Sequence, residues 1–267
     1  MSDFLQKMAA SSAQRAQCAP RFAAADFDLP LVPLQLGSFD VIAEIKDRSP
    51  AEGELSGTNG DRCERARQYA AGGAAAISVL TEPTRFAGDL AHLKEVVAAV
   101  PDTPVMRKDF LVEPVQIEEA RAAGAGGVLL IVTMLHDKLL RSMLDCAREH
   151  GLFVLLESFD EDDLQRLPGV LTTADKDAAE RAQLLFGVNT RNLRTLEVDA
   201  DRLQRFAGKL PQGRLVAESG LYSADDAARV AGYGYSLALV GTALMKSADP
   251  AALVRQMKTD GAAVLQA

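Results

Sequence analysis

The chain has 267 residues, 48% hydrophobic and 25% charged, and a formal net charge of −8. That length allows one large α/β domain or two small ones, and the acidic balance, with no Lys/Arg run to offset it, excludes a general nucleic-acid binder. Cys18, Cys63 and Cys146 lie far apart, the N-terminus lacks the apolar core of a secretory signal, and no apolar stretch is long enough to span a bilayer; the expected setting is a reduced cytoplasm, away from membranes.

Residues 3–17 read as a helix, and the Pro-interrupted segment D-L-P-L-V-P-L after it reads as extended, so residues 1–40 are expected to form an N-terminal helical extension. Eight short apolar runs follow, at 41–45, 75–80, 104–108, 127–132, 153–157, 184–189, 214–219 and 237–241. Most are continuously apolar, as strands covered on both faces should be. Amphipathic stretches at 61–71, 114–123, 137–150 and 224–231 separate several of them, each bounded by helix start and stop residues. Alternating strands and helices imply a parallel sheet with right-handed crossovers. Residues 168–183 carry no legible pattern.

Three segments repeat one design: 70–80, 122–132 and 230–240 each read as a helix end, a Gly in the left-handed cap position (Gly72, Gly124, Gly232) and a strand. Eight such strands favour an α/β fold of the closed (β/α)8 TIM-barrel type over residues 41–267, with the N-terminal helix added to one domain overall. The alternative, an open doubly wound sheet, would want a G-x-G-x-x-G turn after the first strand, where this chain has D-R-S-P-A-E-G.

Charges interrupt the apolar runs in a consistent place. Glu44 and Lys46 close V-I-A-E-I-K, Lys108 closes P-V-M-R-K, Glu157 closes F-V-L-L-E and Glu218 closes R-L-V-A-E. A charge in a buried strand is costly unless paired or placed at an open end. Five of them predict strand ends converging on one polar site, the layout of a barrel's catalytic face. A lysine partly removed from water can serve as acid, base or Schiff-base nucleophile, whereas a single buried Lys-Glu pair would be merely structural. Asn189 and Ser219 add polar groups at later strand ends, and Arg191 suits a carboxylate or phosphate. Gly220 and Gly241 end the last two runs; with Thr242 opening A-L-M-K as a short extra helix, they suit a phosphate cradle. His92, His136 and His150 show no metal-ligand spacing among themselves, so no metal is expected, and His150 before Gly151 fits a helix C-terminus.

The segments I-A-E-I-K-D-R-S-P (42–50), A-I-S-V-L-T-E (76–82), R-K-D-F (107–110), G-V-N-T-R-N-L (187–193) and A-E-S-G (217–220), in this order, resemble indole-3-glycerol phosphate synthase of tryptophan biosynthesis. The resemblance covers 41 to about 257. It implies a (β/α)8 carboxy-lyase without cofactor, turning 1-(2-carboxyphenylamino)-1-deoxyribulose 5-phosphate into indole-3-glycerol phosphate, CO2 and water. The partner implied is a small anionic phosphosugar-anthranilate substrate, and the protein is expected to be a monomer or weak homo-oligomer.

By that resemblance Lys108 is the general acid, Glu157 the general acid/base, Lys46 a second cation and Glu44 the carboxylate holding the lysines. Asn189, Arg191, Glu218 and Ser219 position substrate. Ser49, Gly220, Gly241 and Thr242 contact phosphate, and Pro50, Phe86 and Phe110 wall the anthranilate ring. Two departures stand out. The first loop carries Ala51-Glu52-Gly53-Glu54 where the family usually has a basic residue, and the approach to run six lacks the usual Gly-Ala entry. Residues 47–60 are expected to be a closing loop, mobile without ligand. The departures keep open a paralogue closing a related anthranilate-derived ring, an idle barrel acting as a binding partner, and a Schiff-base aldolase.

Overall fold

Each apolar run becomes a strand because neither of its faces meets water. The structure is a computed structural model and describes residues 3–49 (the last as backbone), 53–54, 61–192, 197–199 and 201–266. The strands are β1 (Asp40–Ile45), β2 (Ala76–Leu80), β3 (Val105–Lys108), β4 (Gly127–Ile131), β5 (Phe153–Ser158), β6 (Leu184–Asn189), β7 (Arg214–Glu218) and β8 (Leu237–Val240). They pair in sequence order, all parallel, and β8 closes onto β1 from Asp40↔Leu237 to Ala43↔Val240. This is the expected (β/α)8 barrel. Every residue of β1, β2, β4, β5, β6 and β8 is buried, as a sheet filled by its own side chains inside and by helices outside requires.

The helices read from sequence are present as Asp3–Gln17, Arg62–Ala71, Val115–Ala122, Asp137–Glu149 and Ala224–Gly232. Helices Leu90–Ala99, Glu161–Val170, Arg202–Phe206 and Pro250–Leu265 also belong to the outer layer. Residues 168–183 hold the end of Glu161–Val170 and a short helix, Thr173–Glu180. The repeated Gly cap needs correction in two of three places. Gly124 is left-handed (φ +89), but the left-handed residues at the other two are Gly73 and Gly234. Gly72 instead lets a helix pack closely, since a Cβ there would lie 2.8 Å from the Ala251 carbonyl oxygen. Of residues 47–60, Arg48–Ser49 pairs antiparallel with Gly53–Glu54; Ala51, Glu52 and the remainder of the expected closing loop lie outside the described residues.

The N-terminal helix is joined to the barrel's catalytic end. Leu5 and Met8 are buried in the same apolar core as the strands. Arg15 donates to both carboxylate oxygens of Asp109 at 2.7 and 2.8 Å, and Gln116 donates to the Ser12 hydroxyl at 2.9 Å. Asp109 is fully enclosed; burial would push its carboxyl up, but Arg15 and Arg107 hold it below the usual carboxylate range. Arg15→Ala should therefore lower stability at neutral pH by about 1–2 kcal/mol, the scale of charge-assisted hydrogen bonds at a partly exposed Arg. Because the Asp109 carboxyl is depressed, that contribution is complete above the unfolded-state pKa and lost as pH falls through the folded one. Urea titrations at neutral and acidic pH should show the gap between wild type and variant closing with acid; equal midpoints at neutral pH would mean that the pair does not anchor the helix.

Candidate active site

The C-terminal strand ends surround a cavity of about 370 Å3. Glu44, Lys46, Lys108, Glu157, Asn189, Arg191, Ser219, Gly220, Gly241 and Thr242 all line it, with Phe86 and Phe110 on its apolar side. The strand register explains the convergence: Lys108 lies opposite Leu80, Glu157 opposite Ile131 and Asn189 opposite Glu218. Pro50 lies outside the described residues, as does the side chain of Ser49.

One carboxylate organises the cationic side. Glu44 Oε1 accepts from Lys46 Nζ at 2.7 Å, and Oε2 accepts from Lys108 Nζ at 2.7 Å. Burial would push the Glu44 carboxyl up, but the two ammonium groups overcome it and hold the pKa down at about 2. For Lys108, burial favours the neutral amine; the carboxylates of Glu44, Glu218 and Glu157 outweigh it and raise the pKa. Of the roles open to a half-buried lysine, this favours a proton donor over a neutral amine nucleophile.

Across the cavity the balance reverses. Glu157 and Glu218 are each 1% exposed. Neither oxygen of Glu218 has a donor among the described residues when both carboxylates are ionised, yet the two groups lie within hydrogen-bonding reach. A single proton shared between the two carboxyls would resolve this. Burial raises both carboxyls, and the charge of Glu157 pushes Glu218 well above the ordinary range. The Asn189 amide donates to Glu157 Oε1 at 3.3 Å. Its own oxygen accepts from the Ser219 hydroxyl at 2.8 Å and the Arg191 backbone N–H at 2.9 Å, which fixes the amide's orientation. Glu218, expected to position substrate, is not among the residues lining the cavity.

Two glycines make room for these groups. A Cβ at Gly187 would lie 2.2 Å from Glu218 Oε1, and one at Gly241 would lie 2.3 Å from Glu44 Oε1. Gly241 is thus required by the Glu44–Lys46 pair as well as by any phosphate. At the end of β7, Ser219 and Gly220 are both left-handed, at φ 67 and 73. That conformation is strained for Ser, and such strain concentrates at functional sites. Thr242 opens the expected short helix, Thr242–Lys246. The buried Arg65 donates to the Leu244 and Ser247 carbonyls at 3.2 and 3.1 Å, closing that helix's C-terminal end.

Several lining residues were not legible as site residues. Leu80 and Ile131 are the last residues of β2 and β4, and strand-end position was the available signal. Tyr222 stands at the rim and is 58% exposed. Phe4 comes from the N-terminal helix and packs edge-on against Phe110, ring centroids 5.9 Å apart at 79°, while Phe86 flanks Phe110 at 6.2 Å. The Glu82 carboxylate holds the Phe86 turn by accepting from the N–H groups of Thr84, Arg85 and Phe86.

The chain is similar to known proteins over most of its length. The family model for indole-3-glycerol phosphate synthase matches residues 32–257. An indole-3-glycerol phosphate synthase from a Nocardioides species is 49% identical over 241 residues, covering 89% of this chain and 88% of that protein. One from a Parafrankia species is 44% identical over 232 residues, covering 86% of this chain and 82% of its own. Among solved structures, 3-hexulose-6-phosphate synthase from Salmonella typhimurium superposes with a TM-score of 0.63 at 18% identity, over 85% of this chain and 99% of its own, a likeness of fold alone. The extent and identity of these matches place the chain in the indole-3-glycerol phosphate synthase family.

Proposed function

We propose that the chain converts 1-(2-carboxyphenylamino)-1-deoxyribulose 5-phosphate to indole-3-glycerol phosphate, with release of CO2 and water. The observation that carries the reading is the pair of ammonium groups on Glu44, facing Glu157 across an aromatic-walled cavity. The anthranilate ring packs among Phe4, Phe86 and Phe110. The phosphate lies toward the Ser219–Gly220 and Gly241–Thr242 ends, where backbone N–H groups approach without bulk. The test is fluorescence detection of indole product from this substrate and purified protein.

Ring closure drives electrons from the attacked ketone onto its oxygen. Lys108, kept protonated by its carboxylate neighbours, gives that oxygen a proton as the C–C bond forms. Loss of CO2 returns the electron pair to the ring. Expulsion of the hydroxyl as water then needs an acid and removal of a ring proton needs a base; Glu157 fills these roles, its proton exchange buffered by Glu218. Lys46 supports the departing oxygen. A lysine held as ammonium disfavours the Schiff-base aldolase reading, and the assembled charge set disfavours an idle barrel. No helix among the described residues is long and apolar enough to cross a membrane, in keeping with a small phosphorylated substrate met in the cytoplasm.

Lys108→Ala should lower kcat by roughly 10²–10⁴ in a folded protein, the usual worth of a positioned acid; near-normal turnover would remove Lys108 from that role. Glu157→Gln keeps the shape but cannot carry a proton. Steady-state kinetics should show kcat falling far more than KM rises, whereas a KM effect alone would make Glu157 a binding group. Arg65 touches no substrate in this scheme and acts by fixing the short helix beside the phosphate. Arg65→Met should raise KM roughly tenfold, the scale of one charge-assisted hydrogen bond, with a smaller change in kcat. Arg65→Lys should recover part of the loss, and a folded Met variant with unchanged KM would show that the helix needs no such clamp.

A further inference from the structure

Three donor groups of different chemistry meet on the outer helix layer, away from the catalytic cavity. Cys146 lies in helix Asp137–Glu149, and His150, one turn further on, is its C-terminal cap. Glu118 comes from the neighbouring helix Val115–Ala122. One ligand atom from each residue lies within 4.8 Å of the other two. Cys146 is 9% exposed, and Glu118 and His150 are half-buried.

These groups are not committed elsewhere. Among the described residues, neither Glu118 nor His150 makes a side-chain hydrogen bond or ion pair, and the Cys146 thiol has only a long contact, 3.7 Å, with the Pro114 carbonyl. The His150 ring is held against Phe27, centroids 4.7 Å apart. On the same helix Arg141, Asp145 and Arg148 are tied into ion pairs that reach Asp175. The uncommitted trio stands out against that paired surface.

We propose that Glu118, Cys146 and His150 form a binding site for one divalent transition-metal ion of the Zn2+ type. Thiolate, imidazole and carboxylate together suit Zn2+ or Co2+, whereas Mg2+ and Ca2+ want oxygen donors alone. Tetrahedral bonds of about 2.0–2.3 Å place ligand atoms roughly 3.3–3.8 Å apart, so the three need close by only about an ångström, with water as the fourth ligand. On binding, the thiol proton leaves to solvent, a metal–sulfur bond replaces the contact with Pro114, and no electron is transferred. The ion would clip helix Val115–Ala122 to helix Asp137–Glu149. No ligand lines the catalytic cavity, so the expected effect is on stability rather than turnover.

The test is a Co2+ titration of the untagged full chain, its thiols kept reduced by a phosphine. The expected result is a near-ultraviolet thiolate-to-cobalt charge-transfer band that saturates at one equivalent and is displaced by Zn2+. Cys146→Ser should abolish the band, while Cys18→Ser and Cys63→Ser keep it. Glu118→Gln and His150→Ala should each weaken binding at least tenfold; being half-buried, they carry the test if Cys146→Ser fails to fold. Zn2+ should raise the unfolding midpoint of the wild type and not of these variants, by mass action on the folded state. Absence of the band, its survival in Cys146→Ser, or its loss in a Cys18 or Cys63 variant would overturn the site.

Discussion

The carboxylate of Glu44, held between two ammonium groups at 2.7 Å each, is the interaction on which the site depends. A buried carboxylate alone would take up a proton, and two buried lysines alone would repel each other and shed theirs. Together they form a three-charge unit in which each member keeps its neighbours ionised. A unit-charge contact near 4 Å is worth about 4 kcal/mol at an effective dielectric of 20, and here there are two attractions and one longer repulsion. The barrel makes this arrangement possible. β1 supplies Glu44, β3 supplies Lys108 from across β2, and closure of β8 onto β1 brings Gly241 against the carboxylate with no side chain to displace it.

Glu157 and Glu218 follow the opposite logic with the same chemical group. Glu44 has a cation on each oxygen, whereas Glu218 has none on either. Desolvation therefore wins at Glu218 and loses at Glu44. Carboxyls driven apart in pKa by their surroundings are how one site can hold both a fixed anion and an exchangeable proton. Gly187 sets the geometry, since any side chain there would occupy the place of the Glu218 carboxyl.

The strands were legible because a sheet covered on both faces leaves uninterrupted apolar runs, and the charges that broke those runs marked the site. Glu44, Lys46, Lys108, Glu157 and Asn189 all line one cavity for that reason. What failed to read was information held between elements. Thr173–Glu180 is charged along much of its length, and its stability comes from packing and capping rather than from an apolar stripe. The left-handed caps at Gly73 and Gly234 were misplaced because helix ends depend on packing; Gly72 answers to a neighbouring helix instead. The metal-ligand trio was invisible in the histidine spacing, since one of its three members belongs to another helix. Glu218 ends its strand as the other charged residues do, and a strand-end charge looks the same in sequence whether or not it lines the cavity.

Phe4 shows why the N-terminal helix could not be understood from its own residues. An amphipathic helix announces that one face is covered, not what covers it. The answer lies in three consecutive residues of the barrel. Lys108 points into the cavity and joins Glu44. Arg107 and Asp109, on either side of it, point outward into a buried polar cluster with Thr81, Gln116 and Glu119. Arg15 enters that cluster through Asp109, and Ser12 meets Gln116 beside it. The helix is thereby fixed at the point where its first turn places Phe4 on Phe110. The strand that presents Lys108 to the cavity thus also anchors, through the next residue, the helix that supplies Phe4 to its wall. Alternation along one strand sets Lys108 and Phe4 in register with each other.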